Sequence, residues 1–157
     1  MSQLVEVTTR SRAARQVVFD LELDMDAHAA SLARSKETAS TSSGRPVLGL
    51  GDDVTFTARH FGLPWRMTSR ITEHERPSWF VDEQVRGPFR VMRHEHCFED
   101  DGQGGTIMKD RMTVTAPMGI LGVLPARLVL APYLRHLLTQ RADHIRTIAE
   151  ASVRRGY

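Results

Sequence analysis

His94 and His96 are the residues of this 157-residue chain whose type and spacing most directly suggest chemistry. An imidazole titrates near neutrality, so with a carboxylate beside it the ring can give or take a proton in a reaction. Two residues apart on a strand, both rings point to one face. They lie in the run SWFVDEQVRGPFRVMRHEHCF, residues 78–98, which divides at Arg86-Gly87-Pro88-Phe89. Gly beside Pro marks a turn, and Pro cannot donate to a ladder. The Trp, Phe and Val around it suit a half-buried pleat. In one register of such a hairpin Asp82 comes opposite His94, and Asp110 on a later run is near if the faces align. Side chains alternate, so a one-residue slip exchanges the faces. One register gathers Phe80, Asp82 and Gln84 with Met92, His94, His96 and Phe98. The other joins Trp79, Val81, Glu83 and Val85 to that second set, with a greasier core. Alternation alone leaves both open.

Three readings of the polar set compete. A buried cluster, each His bonded to a carboxylate or backbone carbonyl, satisfies the rule that buried polar groups are paired. A ligand- or reaction-supporting cluster uses the same groups on a bound molecule, within walls of Phe80, Met92 and Phe98. A metal site falls short, because zinc wants four close ligands with support behind them. No metal and no cofactor are therefore expected. His60, near a strand end, reads as a rim residue. Ser69 has no base that can be placed beside it, so nucleophilic catalysis is not supported. Cys97 points outward in the first register, with no cation certain to activate it. Glu83, Arg93, Glu95, Lys109 and Arg111 read as cross-strand charge pairs on the outer face. Met67, Met92, Met108 and Met112 read as core or as an adaptable pocket lining.

The elements that position these residues follow from periodicity. Residues 4–9 alternate as a first strand. Ser11 stands where a helix cap would, ahead of a helix over 13–23. A second short helix over 27–32 follows, capped by Asp24 or Asp26. Residues 35–44 are polar and form either a loop or an edge strand. Residues 52–60 and 65–74 alternate, with Val54, Phe56, Ala58, His60 and Met67, Ser69, Ile71 inward; Gly62 and Pro64 make the turn between them. After the central hairpin, 102–105 turn and 106–115 form a last strand with Thr106, Met108, Asp110, Met112 and Val114 on one face. From Pro117 the period becomes helical, and Leu130, Leu134, Leu137, Leu138, Ile145, Ile148 and Ala149 mark a long amphipathic helix. Pro125 and Pro132 should break or kink its approach, and a shorter helical turn fits over 121–129. The order predicts an α+β domain: strand, two short helices, five or six antiparallel strands, one long helix covering the sheet's apolar face. A curved sheet gripping one helix leaves a hollow between them.

Composition sets bounds on partners. The chain is 41% hydrophobic and 25% charged, with 21 Lys+Arg against 19 Asp+Glu. This suits one globular domain over residues 1–157. The basic residues are scattered, so nucleic acid is not an expected partner. The single cysteine, Cys97, rules out an intramolecular disulfide and fits a reducing compartment. No run of 18 apolar residues and no secretion-type apolar segment is present, so a cytoplasmic protein without a membrane span is expected. Oligomeric state is left open.

The chain resembles the START-related, Bet v 1-like helix-grip (SRPBCC) superfamily, in its polyketide cyclase/dehydrase-like or ligand-binding branch. The carriers are FVDEQVxGPF at 80–89, HxHxF at 94–98, GTxMxD at 105–110, PMGxLG at 117–122 and LGDDVTFTARHFG at 50–62. The resemblance implies a curved antiparallel sheet around a long C-terminal helix. It also favours the first register, because its pattern falls on Phe80, Asp82, Gln84, His94, His96 and Phe98; Met92 stands where the pattern has Trp. The expected function is binding of a hydrophobic small molecule (lipid, isoprenoid or polyketide-like) between sheet and helix. Phe56, His60, Ser69, Phe80, Asp82, Gln84, Met92, His94, His96, Phe98, Met108 and Asp110 would be the ligand-binding residues. A cyclase/dehydratase using His94, His96, Asp82 or Asp110 as acid and base is the alternative. A structural or partner-binding protein with a filled core is the second alternative.

Overall fold

The computed structural model of the chain describes residues 2–32, 37–60, 62–117 and 126–155. Strand β1 (Ser2–Ser11) leads into helices α1 (Arg15–Leu23) and α2 (Met25–Leu32). Strands β2 (Thr38–Thr41), β3 (Asp53–His60), β4 (Leu63–Glu75), β5 (Trp79–Arg86), β6 (Val91–Asp100) and β7 (Thr106–Thr115) follow. A π-helical segment (Ala126–Leu130) then opens onto the 24-residue helix α3 (Ala131–Arg154). The strands form one antiparallel sheet in the order β1-β7-β6-β5-β4-β3-β2. This is the α+β helix-grip arrangement expected from the sequence, with the polar 35–44 stretch supplying edge strand β2.

Several local signals resolve differently from their simplest reading. Ser11 does not cap α1, because it is the last residue of β1 and pairs with Thr106. Its hydroxyl accepts the Ala13 N–H at 3.2 Å instead, and Ala14 precedes the helix with no side-chain cap. Of the two cap candidates for α2 it is Asp24 that serves. Its Oδ1 accepts from the N–H groups of Asp26 and Ala27 at 2.8 and 2.9 Å. Pro64 is not in the turn; it lies in β4 opposite Arg59, near the strand's start where a missing donor is tolerated. Gly62, at φ +76°, takes the left-handed backbone that the tight connection to Leu63 requires. Pro132 lies in the first turn of α3, just past the junction where the π-helical segment gives way to the α-helix, a position that tolerates a missing N–H. The helical turn expected over 121–129 and most of the 117–122 motif lie outside the described residues.

The β5–β6 hairpin adopts the first of the two registers, with Phe80 opposite His96 and Asp82 opposite His94. Its inner face continues into β7, where Asp110 lies opposite His96. Helix α3 lays Leu138, Ala142, Ile145 and Ala149 onto that face at helical spacing. Ile145 and Ala149 join Phe19 of α1, Phe80, Phe98 and Met108 in one apolar cluster. Phe19 meets Phe80 and Phe98 edge-to-face, with centroids 5.6 and 5.3 Å apart. Leu138 packs with Val5, Met92, Met112 and Val114 in a second. The outer face carries the expected charge ladder. Arg93 reaches Glu73 at 2.8 Å, Glu95 at 3.1 Å and Glu83 at 3.4 Å, and Lys109 pairs with Glu99 at 2.7 Å.

Candidate functional site

The hairpin register brings Asp82, His94, His96 and Asp110 into one buried cluster. Each imidazole lies between the two carboxylates. His96 Nε2 is 3.2 Å from Asp82 Oδ2, and its Nδ1 is 3.0 Å from Asp110 Oδ1. His94 Nδ1 is 3.7 Å from Asp82 Oδ2, and its Nε2 is 3.3 Å from Asp110 Oδ1. Only the His96–Asp82 contact also has hydrogen-bond direction; the two contacts to Asp110 are ion-pair approaches off that direction. The rings of His94 and His96 lie 3.8 Å apart, and His96 stacks on Phe80 at 4.1 Å.

The two histidines are driven apart electrostatically. Burial alone would lower the pKa of His96, but Asp110 and Asp82 outweigh it and raise the pKa to about 9. His94 is lowered by burial and by the positive His96 beside it. Burial works to raise both carboxyls, yet the imidazoles prevail. Asp82 falls to about 2 and Asp110 lies well below the usual carboxylate range. At neutral pH the cluster is an imidazolium held between two carboxylates, with a neutral imidazole alongside. The Phe80 face under His96 adds a cation–π contact. A proton held this firmly makes His96 a poor general base near pH 7.

A second buried pair adjoins the cluster. Glu22 of α1, 2% exposed, meets Arg141 of α3 at 3.1 Å. Burial raises the Glu22 pKa against the pull of Arg141. Neither was expected at the site. The available signal was a charge within each apolar stripe: Glu22 follows Val18 by four residues, and Arg141 follows Leu137 by four. A void of about 20 Å³ separates Glu22, His28, Asp82 and Arg141, room for about one water.

The larger cavity, about 180 Å³, lies elsewhere on the inner face. Phe56, Ala58 and His60 of β3 and Trp65 and Met67 of β4 form one wall. Tyr133, Leu134, Leu137 and Leu138 of α3 form the facing wall, with Phe89 of the β5–β6 turn and Met112 of β7 closing it. Its polar groups are few. His60 Nδ1 and the Tyr133 hydroxyl are 2.6 Å apart, and His60 Nε2 is 3.6 Å from Glu37 Oε1. Burial and Glu37 raise the Tyr133 pKa. Arg141 and Gln140 lie further along α3 on the same cavity.

The sequence candidates thus divide. Phe56 and His60 line the large cavity. Asp82, His94, His96 and Asp110 form the cluster, and Phe80 and Asp82 also border the small void. Met92, Phe98 and Met108 are buried in the packed core. Ser69 is fully buried in β4. The Gln84 carboxamide closes the β5–β6 turn, donating to the Phe89 carbonyl at 2.8 Å and accepting the Phe89 N–H at 3.3 Å. Cys97 is on the outer face, its thiol pushed up by burial, Glu95 and Glu99.

Asp82, His94 and His96 are also the described residues that could hold a metal, with one ligand atom from each within 4.8 Å of the others. The imidazolium competes for that place, since a metal would have to displace its proton. Elemental analysis of purified protein is expected to find no stoichiometric metal. About one zinc per chain, lost on His96→Ala, would overturn that expectation.

No protein-family model and no curated protein sequence matches the chain. Solved structures do match across nearly its whole length. TTHA0849 from Thermus thermophilus aligns with TM-score 0.74 at 18% identity, over 93% of this chain and 99% of that one. The Zhui aromatase/cyclase from Streptomyces sp. R1128 aligns with TM-score 0.72 at 16% identity, over 98% and 96%. Norcoclaurine synthase from Thalictrum flavum, solved with dopamine and hydroxybenzaldehyde, aligns with TM-score 0.71 at 10% identity, over 94% and 86%. The chain shares the helix-grip fold of these structures. Identities this low establish the fold, and fold alone hosts many activities. Among the described residues no helix is long and apolar enough to cross a membrane.

Proposed function

We propose that this protein binds a small hydrophobic molecule in the cavity between β3, β4 and α3. The observation that carries the reading is the cavity itself: about 180 Å³, walled by aromatic and aliphatic side chains, with polar groups at few points. A dry cavity of about 150 Å³ accepts a benzene ring. Drug-sized pockets run about 300–1,000 Å³. The volume therefore favours a one- or two-ring aromatic or a short isoprenoid over a fused polyketide. The single-ring compounds in the norcoclaurine synthase structure are of that size class. A cyclase working through the His/Asp cluster has less support, because the cluster is absent from the cavity lining and His96 holds its proton firmly.

A thermal-shift screen of fatty acids, isoprenoids and mono- and bicyclic aromatics tests the reading. Ligand at about a hundred times its Kd adds about 2.7 kcal/mol to stability, enough for a clear rise in Tm. Ala58 is nearly buried on the cavity wall, so Ala58→Phe should fill the space and abolish the shift. Hits that stabilise wild type and a cooperatively melting Ala58→Phe equally would refute the location. A screen without a hit would refute the function.

A further inference from the structure

We propose that Tyr133, His60 and Glu37 form a proton-accepting site on the cavity wall, serving an apolar ligand that carries an acidic hydroxyl, a phenol or an enol. The proposal rests on the binding reading above and names the chemistry of the ligand's polar end.

Three separate parts of the chain converge to make this site. Tyr133 comes from the first turns of α3, His60 from the end of β3, and Glu37 from just before β2. All three line the cavity. The hydroxyl–imidazole contact of 2.6 Å is short, and the far ring nitrogen faces a carboxylate at 3.6 Å. The His60 and Glu37 side chains are 16% and 10% exposed, so water competes weakly for these groups. A carboxylate at Nε2 favours the tautomer with its proton on that nitrogen. Nδ1 is then an acceptor, and the Tyr133 O–H donates to it. A phenolic oxygen that donates its proton still accepts through its lone pairs, and a ligand hydroxyl in the cavity can donate to it.

The transfer balances without any other reactant. The ligand's O–H proton passes to the Tyr133 oxygen as the Tyr133 proton passes to His60 Nδ1. The products are a ligand oxyanion, hydrogen-bonded by the restored tyrosine hydroxyl, and an imidazolium facing Glu37. A ligand with only a carbonyl meets an acceptor at this tautomer and gains less. One with no polar atom gains nothing from the three groups. A hydroxyl entering an otherwise apolar cavity loses hydration, so a preference for it requires a partner inside.

The probes are 4-nitrophenol, whose phenolate is yellow, and nitrobenzene, which lacks the hydroxyl. Wild type is expected to bind 4-nitrophenol about tenfold more tightly than nitrobenzene, the usual worth of one buried hydrogen bond of this kind. The bound form should show the phenolate band at mildly acidic pH, where the free compound is mostly protonated. Tyr133→Phe should remove both the preference and the band. Glu37→Gln, which keeps its size, should diminish the band and serves if Tyr133→Phe is unstable. A trio that only ties α3 to the sheet would change Tm in these variants and leave the preference and the band in place, which would overturn the proposal. Equal binding of the two probes by wild type would overturn it too, with the cavity reading intact. Failure of both probes to bind, by contrast, would count against the cavity reading and remove this site with it.

Discussion

His96→Ala is expected to cost about 3–5 kcal/mol of stability at pH 7, the usual penalty for removing one partner of a buried ion pair. The variant takes the His96 cation from Asp82 and Asp110 and leaves only the His94 ring between them, 3.7 and 3.3 Å from the two carboxylates. The loss should also depend on pH in a defined direction. His96 has a folded pKa of about 9, above its ordinary value near 6.5. Its stabilisation is therefore complete below about pH 6.5 and disappears as pH rises through 9. That displacement corresponds to roughly 3 kcal/mol. Asp82, held at about 2, reports the same contact from the acid side: its contribution is present above about pH 4 and fades as pH falls through 2. The two describe one interaction and are not added. His28 and His94 act oppositely to His96, because burial lowers both, so folding weakens as pH falls below their ordinary value. Urea unfolding of wild type and variant from pH 6 to 10 checks this. The gap between the two should narrow toward pH 10. A gap below about 1 kcal/mol at pH 7, or one that widens with pH, would mean that His96 is not the cation of the cluster.

A chain ending at Thr115 is expected not to fold. Removing α3 uncovers the inner face of the sheet around Phe80, Phe98 and Met108. Leu138 and Ile145 alone contribute about 3–6 kcal/mol of burial. The cut also strips Arg141 from Glu22, its ion-pair partner at 3.1 Å. Together these approach the whole stability of an ordinary domain, about 5–15 kcal/mol. Circular dichroism in the near ultraviolet and a urea titration should show no fixed aromatic environment and no cooperative transition. A cooperative transition with a native-like aromatic signal would show that the sheet does not depend on the helix.

The strands were legible because alternation is a local property. Val54-Phe56-Ala58 and Met108-Asp110-Met112 announce their inner faces without any neighbour. The Asp82–His94 pairing was legible once the register was chosen, and the register rested on the resemblance, since both alternations are physically sound. What the chain did not display locally was which helical residues meet which strand. Glu22 and Arg141 lie 119 residues apart and look like ordinary charges until α1 and α3 face each other. The contact between His60 and Tyr133 spans 73 residues, so His60 read as rim. The cavity was expected over the His/Asp cluster, yet Phe19 and Ile145 help fill the core on that side. The hollow survives nearer the turn ends of β3 and β4. There Ala58 is small, and the side chains of α3 meet β3 and β4 across an open space.

The central claim is that a ligand occupies this cavity and not the cluster, and the methionines report it. Met67 and Met112 line the cavity, whereas Met108 belongs to the packed core around Phe80 and Phe98. Methyl-labelled methionine NMR, with assignment by single Met→Leu variants, can follow a saturating hit from the screen. The methyls of Met67 and Met112 should shift strongly and that of Met108 should stay within the line width. A shift of Met108 with Met67 and Met112 unmoved would place the ligand at the His/Asp cluster and contradict the account.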